Sequence, residues 1–185
     1  MKRALNNFPF SPKRLPFFYG WALMIVGATG FIMSAPGQTY GVAPFTEPLM
    51  NALDMSRVNL SKAYMLGTMA SALLLVYAGK AYDRFGARIV APAACLLMAM
   101  TLVILANIDT TSALISQAVP TADVHDVSFG AVLLCFFMLR FSAQGVLTMV
   151  SLNMIMKWFD RHRGLVTGIM GVFTGPIFSC TPKLL

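Results

Sequence analysis

Arg140 is the residue whose placement asks most of this chain. It is the only charged side chain between residues 127 and 156. If that apolar run crosses a bilayer, an arginine near its middle costs about 2.5–3.5 kcal/mol on insertion scales. Its guanidinium then needs a polar cavity, a partner or a water path, or else it bonds the carbonyls of a neighbouring helix and fixes packing. The sequence leaves both roles open. Gln144, Thr148 and Ser151 follow at steps of four, four and three, so on a helix they share the face of Arg140. Such a face serves a cavity or coupling role, or a structural one. Bond-breaking chemistry has no comparable set of residues. His125 and His162 lie in different connections, and no Cys/His or carboxylate pair has useful spacing. Cys95, Cys135 and Cys180 are an odd, scattered set without metal-ligand spacing. No phosphate-cradling G-x-x-x-x-G-K-[ST] loop is present. The chain is therefore expected to be no enzyme, with no catalytic residue, no metal site and no cofactor.

Other polar groups lie in apolar surroundings. Ala35-Pro36-Gly37-Gln38-Thr39-Tyr40-Gly41 should loosen a helix, which membranes tolerate only beside protein or a water-filled cavity. Gln38 and Tyr40 are candidate cavity-lining groups, or bond a neighbouring helix. Tyr64, Thr68 and Ser71 share a face and are assigned to helix packing. Gly164, Gly168, Gly171 and Gly175 form a small-residue face that lets another helix backbone approach, and Pro176 should bend that helix.

The elements that position these groups follow from composition. Of 185 residues, 57% are hydrophobic and only 11% charged, against about 25% charged in soluble domains. A disordered chain and a compact water-soluble enzyme are excluded. Charges punctuate the chain at membrane-sized intervals: none lies between Arg14 and Glu47, nor within residues 63–79, 89–108 or 164–182. Crossing ~30 Å of hydrocarbon takes about 20 apolar residues. The spacing predicts an all-α polytopic membrane protein with five transmembrane helices at about 17–40, 62–80, 89–108, 129–155 and 164–182. Residues 1–16 form an N-terminal segment, and 17–185 form the bundle. The runs are continuously apolar rather than alternating, which excludes membrane strands.

Net charge is +7, from 14 Lys and Arg against 7 Asp and Glu. Its distribution argues for topology rather than nucleic-acid binding. Lys2, Arg3, Lys13 and Arg14 precede the first run. Lys80, Arg84 and Arg88 separate the second from the third, and Lys157, Arg161 and Arg163 separate the fourth from the fifth. Basic connections stay cytoplasmic, so the N-terminus and these two connections are expected inside. Trp21 and Trp158 stand near the inner edges, where amphipathic rings prefer the interface. The 109–128 connection is polar and expected outside, flexible or as a short surface helix.

The segment Gly79-Lys80-Ala81-Tyr82-Asp83-Arg84-Phe85-Gly86-Ala87-Arg88 resembles the loop 2–3 signature of the major facilitator superfamily, G-x-L-A-D-R-x-G-R-K/R. Gly79, Asp83, Arg84, Gly86 and Arg88 match; Ala81, Tyr82 and Ala87 depart. The resemblance implies a cytoplasmic latch between transporter halves. Gly79 would permit close helix approach, and Gly86 would make the turn. Arg140 with Gln144-Gly145 is similar to the fourth-helix R-x-x-x-Q-G motif linked to proton or substrate coupling. Trp158-Phe159 with Arg161, Arg163 and Gly164, and residues 36–41 with Phe45, resemble monocarboxylate-porter and oxalate/formate-antiporter relatives. Gly171-x-x-x-Gly175-Pro176 is similar to the fifth-helix antiporter motif, with Ser179-Cys180 in place of two glycines.

The resemblance implies a secondary transporter of the plasma (inner) membrane working by alternating access. Its solute would be a small organic anion such as a monocarboxylate, carried with or without protons. Arg140, Gln144, Gln38 and Tyr40 would face that solute. The family has twelve spans in two halves around a central site, so these residues are expected to form an incomplete N-terminal half, a truncated piece. Its partners would be the lipid bilayer and either the missing C-terminal half or a second copy. Two other readings stand beside this one: a non-transporting membrane fragment or helix-packing partner, and a proton-coupled drug antiporter.

Overall fold

The computed structural model describes residues 19–112, 124–159 and 163–184. The basic N-terminal segment 1–16, Pro120, Asp123 and residues 160–162 lie outside the described residues, with much of the 109–128 connection. Every element among the described residues is helical. Helix α1 spans Tyr19–Met33 and gives way to a 3-10 turn at Ala35–Gly37. Helix α2 at Thr39–Val42, a second 3-10 turn at Ala43–Phe45 and α3 at Thr46–Leu53 follow. Helix α4 runs Arg57–Phe85 and α5 Ala87–Ala106. The next rod is α6 at Val124–Leu139, a π-helical segment at Arg140–Leu147 and α7 at Thr148–Met156. Helix α8 spans Arg163–Leu184.

Three of these rods combine the length and apolar composition of a membrane crossing: Arg57–Phe85, Ala87–Ala106 and His125–Met156, of 29, 20 and 32 residues. At 1.5 Å per residue the shortest reaches about 30 Å, the thickness of the hydrocarbon layer. The expectation of five transmembrane helices is thereby corrected to three candidate spans among the described residues. The first expected span is not one rod. Its α-helix ends at Met33 after 15 residues, because Pro36 and then Pro44 each occupy the start of a 3-10 turn, where a missing N–H breaks nothing. The fifth forms a 22-residue helix but does not stand among the three.

Helix α4 begins where the Ser56 hydroxyl accepts from the Asn59 backbone N–H at 3.2 Å, satisfying one of the donors a helix start leaves open. It ends at Gly86, whose φ of 79° suits a residue without a Cβ. The π-bearing rod is the centre of the assembly. It buries 50% of its most apolar window, against 22% for α4 and 17% for α5. Phe136, Leu139 and Val132 on α6 pack with Leu60 and Ala63 of α4. Val146, Leu147 and Val150 pack with Ala78 of α4 and with Val90 and Ala94 of α5. Ile155 of α7 meets Val166 and Met170 of α8. A Cβ at Gly67 of α4 would stand 2.9 Å from the Phe137 backbone nitrogen, which shows how closely α4 and α6 approach.

The outward surface is apolar. Ile25 of α1, Leu73 and Val76 of α4, Met100 of α5 and Val172 of α8 are all well exposed. Water-soluble monomers rarely present so much contiguous apolar surface, whereas hydrocarbon chains cover it without cost.

Candidate functional site

Arg140 is placed by the central rod and held by the two elements beside it. It is buried, with 7% of its surface exposed. Its Nε donates to the Thr68 hydroxyl of α4 at 3.1 Å, and one terminal nitrogen donates to the Gly37 carbonyl at 3.1 Å. Tyr64, one turn before Thr68, lays its ring beneath the guanidinium, 4.9 Å from centroid to Cζ. No carboxylate pairs with Arg140 among the described residues. A guanidinium has five N–H donors, and these contacts use two.

The break after α1 makes this geometry possible. Beyond Met33 the carbonyl of Gly37 turns sideways out of a helix instead of bonding along one. The backbone of Gly37 lies against the π segment: a Cβ there would meet the Ala143 side chain, stand 2.8 Å from the Leu139 carbonyl oxygen and 3.0 Å from the Gln144 nitrogen. Only glycine leaves room for that approach. On the facing side the π segment replaces tight i→i+4 bonding with a wider turn, a distortion frequent at functional sites. The Ser142 hydroxyl donates to the Met138 carbonyl at 2.7 Å, and that of Thr148 donates to the Ala143 carbonyl at 3.3 Å.

The other expected solute-facing residues fall around this contact. Gln38 donates its amide to the Ser34 hydroxyl at 3.4 Å. Thr148 reaches the same oxygen at 3.1 Å, and Ser34 itself donates to the Phe31 carbonyl at 2.6 Å. The Tyr40 ring lies against Phe178 of α8, tilted by 35° with centroids 4.9 Å apart. Its hydroxyl is buried and has no hydrogen-bond partner among the described residues. Gln144 is half-buried in the π segment. Arg140, Thr148 and Ser151 of the expected face all lie along the neighbouring stretch from Gly37 back to Gly30. Arg140 addresses α4 and the Gly37 carbonyl, while Thr148 addresses Ser34, and the Ser151 hydroxyl lies 2.6 Å from where a Cβ at Gly30 would be.

Tyr64 and Thr68, expected to serve helix packing, are the ring and the acceptor that hold Arg140. Their spacing of four residues was the available signal, but which helix they face depends on how α4 crosses α6. Ser34 and Thr39 were not singled out at all. The Thr39 hydroxyl accepts from Tyr64 at 3.0 Å.

The latch residues form a separate group. The expected loop is almost entirely helix: Gly79, Asp83 and Arg84 lie on the last turns of α4, Gly86 alone is the connection, and Arg88 is in the first turn of α5. Asp83, Arg84 and Arg88 are exposed, and the Arg84 guanidinium lies over the Phe85 ring at 5.3 Å. At Gly79 no described residue lies within 4 Å of where a Cβ would be. The same holds for Gly164, Gly168, Gly171 and Gly175 of α8, so their small-residue face meets no described helix. Pro176 lies within α8. No group of three or more metal-ligating side chains occurs among the described residues. Around Arg140 the printed contacts among the described residues engage two of its N–H donors.

A family model described as Major Facilitator Superfamily matches residues 27–182. Neither the curated proteins nor the solved structures compared with the chain gave a match.

Proposed function

Since the chain belongs to the Major Facilitator Superfamily, whose members are membrane transporters, we propose that its solute is a small organic anion such as a monocarboxylate, moved by alternating access. One observation supports this most: Arg140 is buried without a carboxylate partner among the described residues and has N–H donors to spare. An unpaired cation in hydrocarbon is costly, and an anion bound there offsets that cost. Carboxylates suit guanidinium because two parallel N–H···O bonds form at once. Gln144, Gln38 and Tyr40 surround the approach as polar contacts for the solute, and a proton accompanies the anion where its charge must be balanced. A second six-helix half, or a second copy, closes the path between halves.

Membrane residence follows from family and from the apolar rods; the side each connection faces belongs to the same proposal. Basic residues on alternate connections support a cytoplasmic N-terminus in the plasma membrane. On that topology Gly79, Asp83, Arg84, Gly86 and Arg88 serve as the cytoplasmic latch. The Gly164, Gly168, Gly171 and Gly175 face with Pro176 is where a further helix packs.

The test is uptake of radiolabelled lactate and other monocarboxylates into proteoliposomes carrying the protein with its complementary half. Arg140→Gln should reduce flux at least about a hundredfold while leaving insertion intact, since removing one partner of a buried charged contact costs about 3–5 kcal/mol. Undiminished flux through Arg140→Gln sinks the anion-site reading.

A further inference from the structure

We propose that Tyr64 is a positioning residue that gates access to Arg140 from a cavity beside the Glu47–Arg57 pair. The cavity holds about 210 Å³ and is lined by Thr39, Thr46, Leu60, Ser61, Tyr64 and Phe136 among others. It shares Thr46 and Ser61 with a wider groove of about 590 Å³ that carries Glu47 and Arg57, which pair at 3.3 Å. Three hydroxyls, from Thr39, Thr46 and Ser61, thus line a continuous approach. Arg140, Thr68 and Gly37 do not border it.

Tyr64 belongs to both places. It borders the cavity, and its ring lies against the face of the Arg140 guanidinium. Phe136 meets that ring edge-on at 5.4 Å. The ring is held at its tip by the one hydrogen bond to Thr39 at 3.0 Å, and Thr39 is an exposed residue in the four-residue α2. With that bond made, the aromatic face occupies the contact surface of the cation. With it broken, the ring can turn about its Cα–Cβ bond and leave the guanidinium open to the hydroxyl-lined approach. A small carboxylate is the ligand such a path suits: hydroxyls replace part of its hydration, and the cation lies at the end. This inference deepens the anion-site reading and rests on it for the ligand, but its test does not measure transport.

The test is a reactivity measurement on the full chain in phosphatidylcholine–phosphatidylglycerol vesicles, with the native cysteines replaced by serine and Thr68→Cys as reporter. An anionic methanethiosulfonate is added on the side from which Glu47→Cys is labelled. Tyr64→Phe and Thr39→Val each remove the pinning bond, one from each end. Each should raise the Thr68→Cys labelling rate about fivefold, the population shift expected from one lost net hydrogen bond, with Ser151→Cys unchanged. Rates within about twofold of the parent in both variants overturn the gate, and so does an equal rise at Ser151→Cys, which reports a loosened bundle. Should Tyr64→Phe fail to insert, the exposed Thr39→Val decides alone. A failed gate with intact, Arg140-dependent lactate flux leaves the transport reading standing; loss of flux dependence with a working gate removes only the ligand.

Discussion

Gly37→Ala is the substitution that bears hardest on the architecture around Arg140. The added methyl would meet the Ala143 side chain and stand 2.8 Å from the Leu139 carbonyl oxygen and 3.0 Å from the Gln144 nitrogen. Two of those neighbours are backbone, so the 35–37 turn must move away from the π segment. Overpacking of this kind costs about 1–3 kcal/mol. Movement also draws the Gly37 carbonyl out of its 3.1 Å bond to Arg140, and a hydrogen bond to a charged group is worth about 1.5–3 kcal/mol. Together these give a loss of several kcal/mol, which at about 2–4 °C per kcal/mol for a chain of this size lowers Tm by at least about 5 °C. Cys135 provides the readout, being buried at 5% exposure while Cys95 and Cys180 are exposed. With the latter two replaced by serine, a thiol-reactive fluorogenic maleimide reports unfolding of the detergent-solubilised protein. Gly79→Ala is the control, because its methyl enters open space and a mid-helix alanine gains about 0.5–1 kcal/mol over glycine; its Tm should hold or rise. If Gly37→Ala unfolds at the same temperature as the parent, the close seating of the turn on the π segment is wrong.

Two further outcomes follow from the same geometry. Thr68→Val keeps the shape of the side chain but leaves the Arg140 Nε without its acceptor, so the Cys135 transition should shift down by about 1.5–3 kcal/mol in stability; an unchanged transition would mean that the bond contributes nothing. Gly86→Ala forces a residue with a Cβ into φ 79°, ψ 171°, a region reserved almost wholly for glycine at a cost of about 1–3 kcal/mol. That variant should be cut faster by protease at the α4–α5 connection than Gly79→Ala, and equal resistance would show that the turn relaxes freely.

What could be read from the chain was whatever charge and apolarity mark directly. The charge-free runs located α4, α5 and the central rod, because lipid rejects charge regardless of how the helices meet. Helix ends were less legible. Helix α4 continues past its apolar run at both ends, to Arg57 and to Phe85, since backbone hydrogen bonding stops at a cap or a glycine rather than at the lipid boundary. Pro36 and Gly37 announced a break, but not that the freed Gly37 carbonyl would become the acceptor for a residue 103 positions away. The π segment has no composition of its own. Arg140 itself was conspicuous; its holders were not. Tyr64 and Thr68 resemble any small polar stripe until the packing of α4 on the central rod brings both to the cation.

The single-residue joint at Gly86 has a mechanical consequence. Neighbouring Cα atoms are tied 3.8 Å apart, so the adjoining ends of α4 and α5 cannot separate by more than a few ångströms without unravelling a turn. The two rods are therefore tethered at that end. Any force that tilts that end, at Asp83, Arg84 or Arg88, is carried along α4 to Thr68 and Tyr64, about 25 Å away at 1.5 Å per residue.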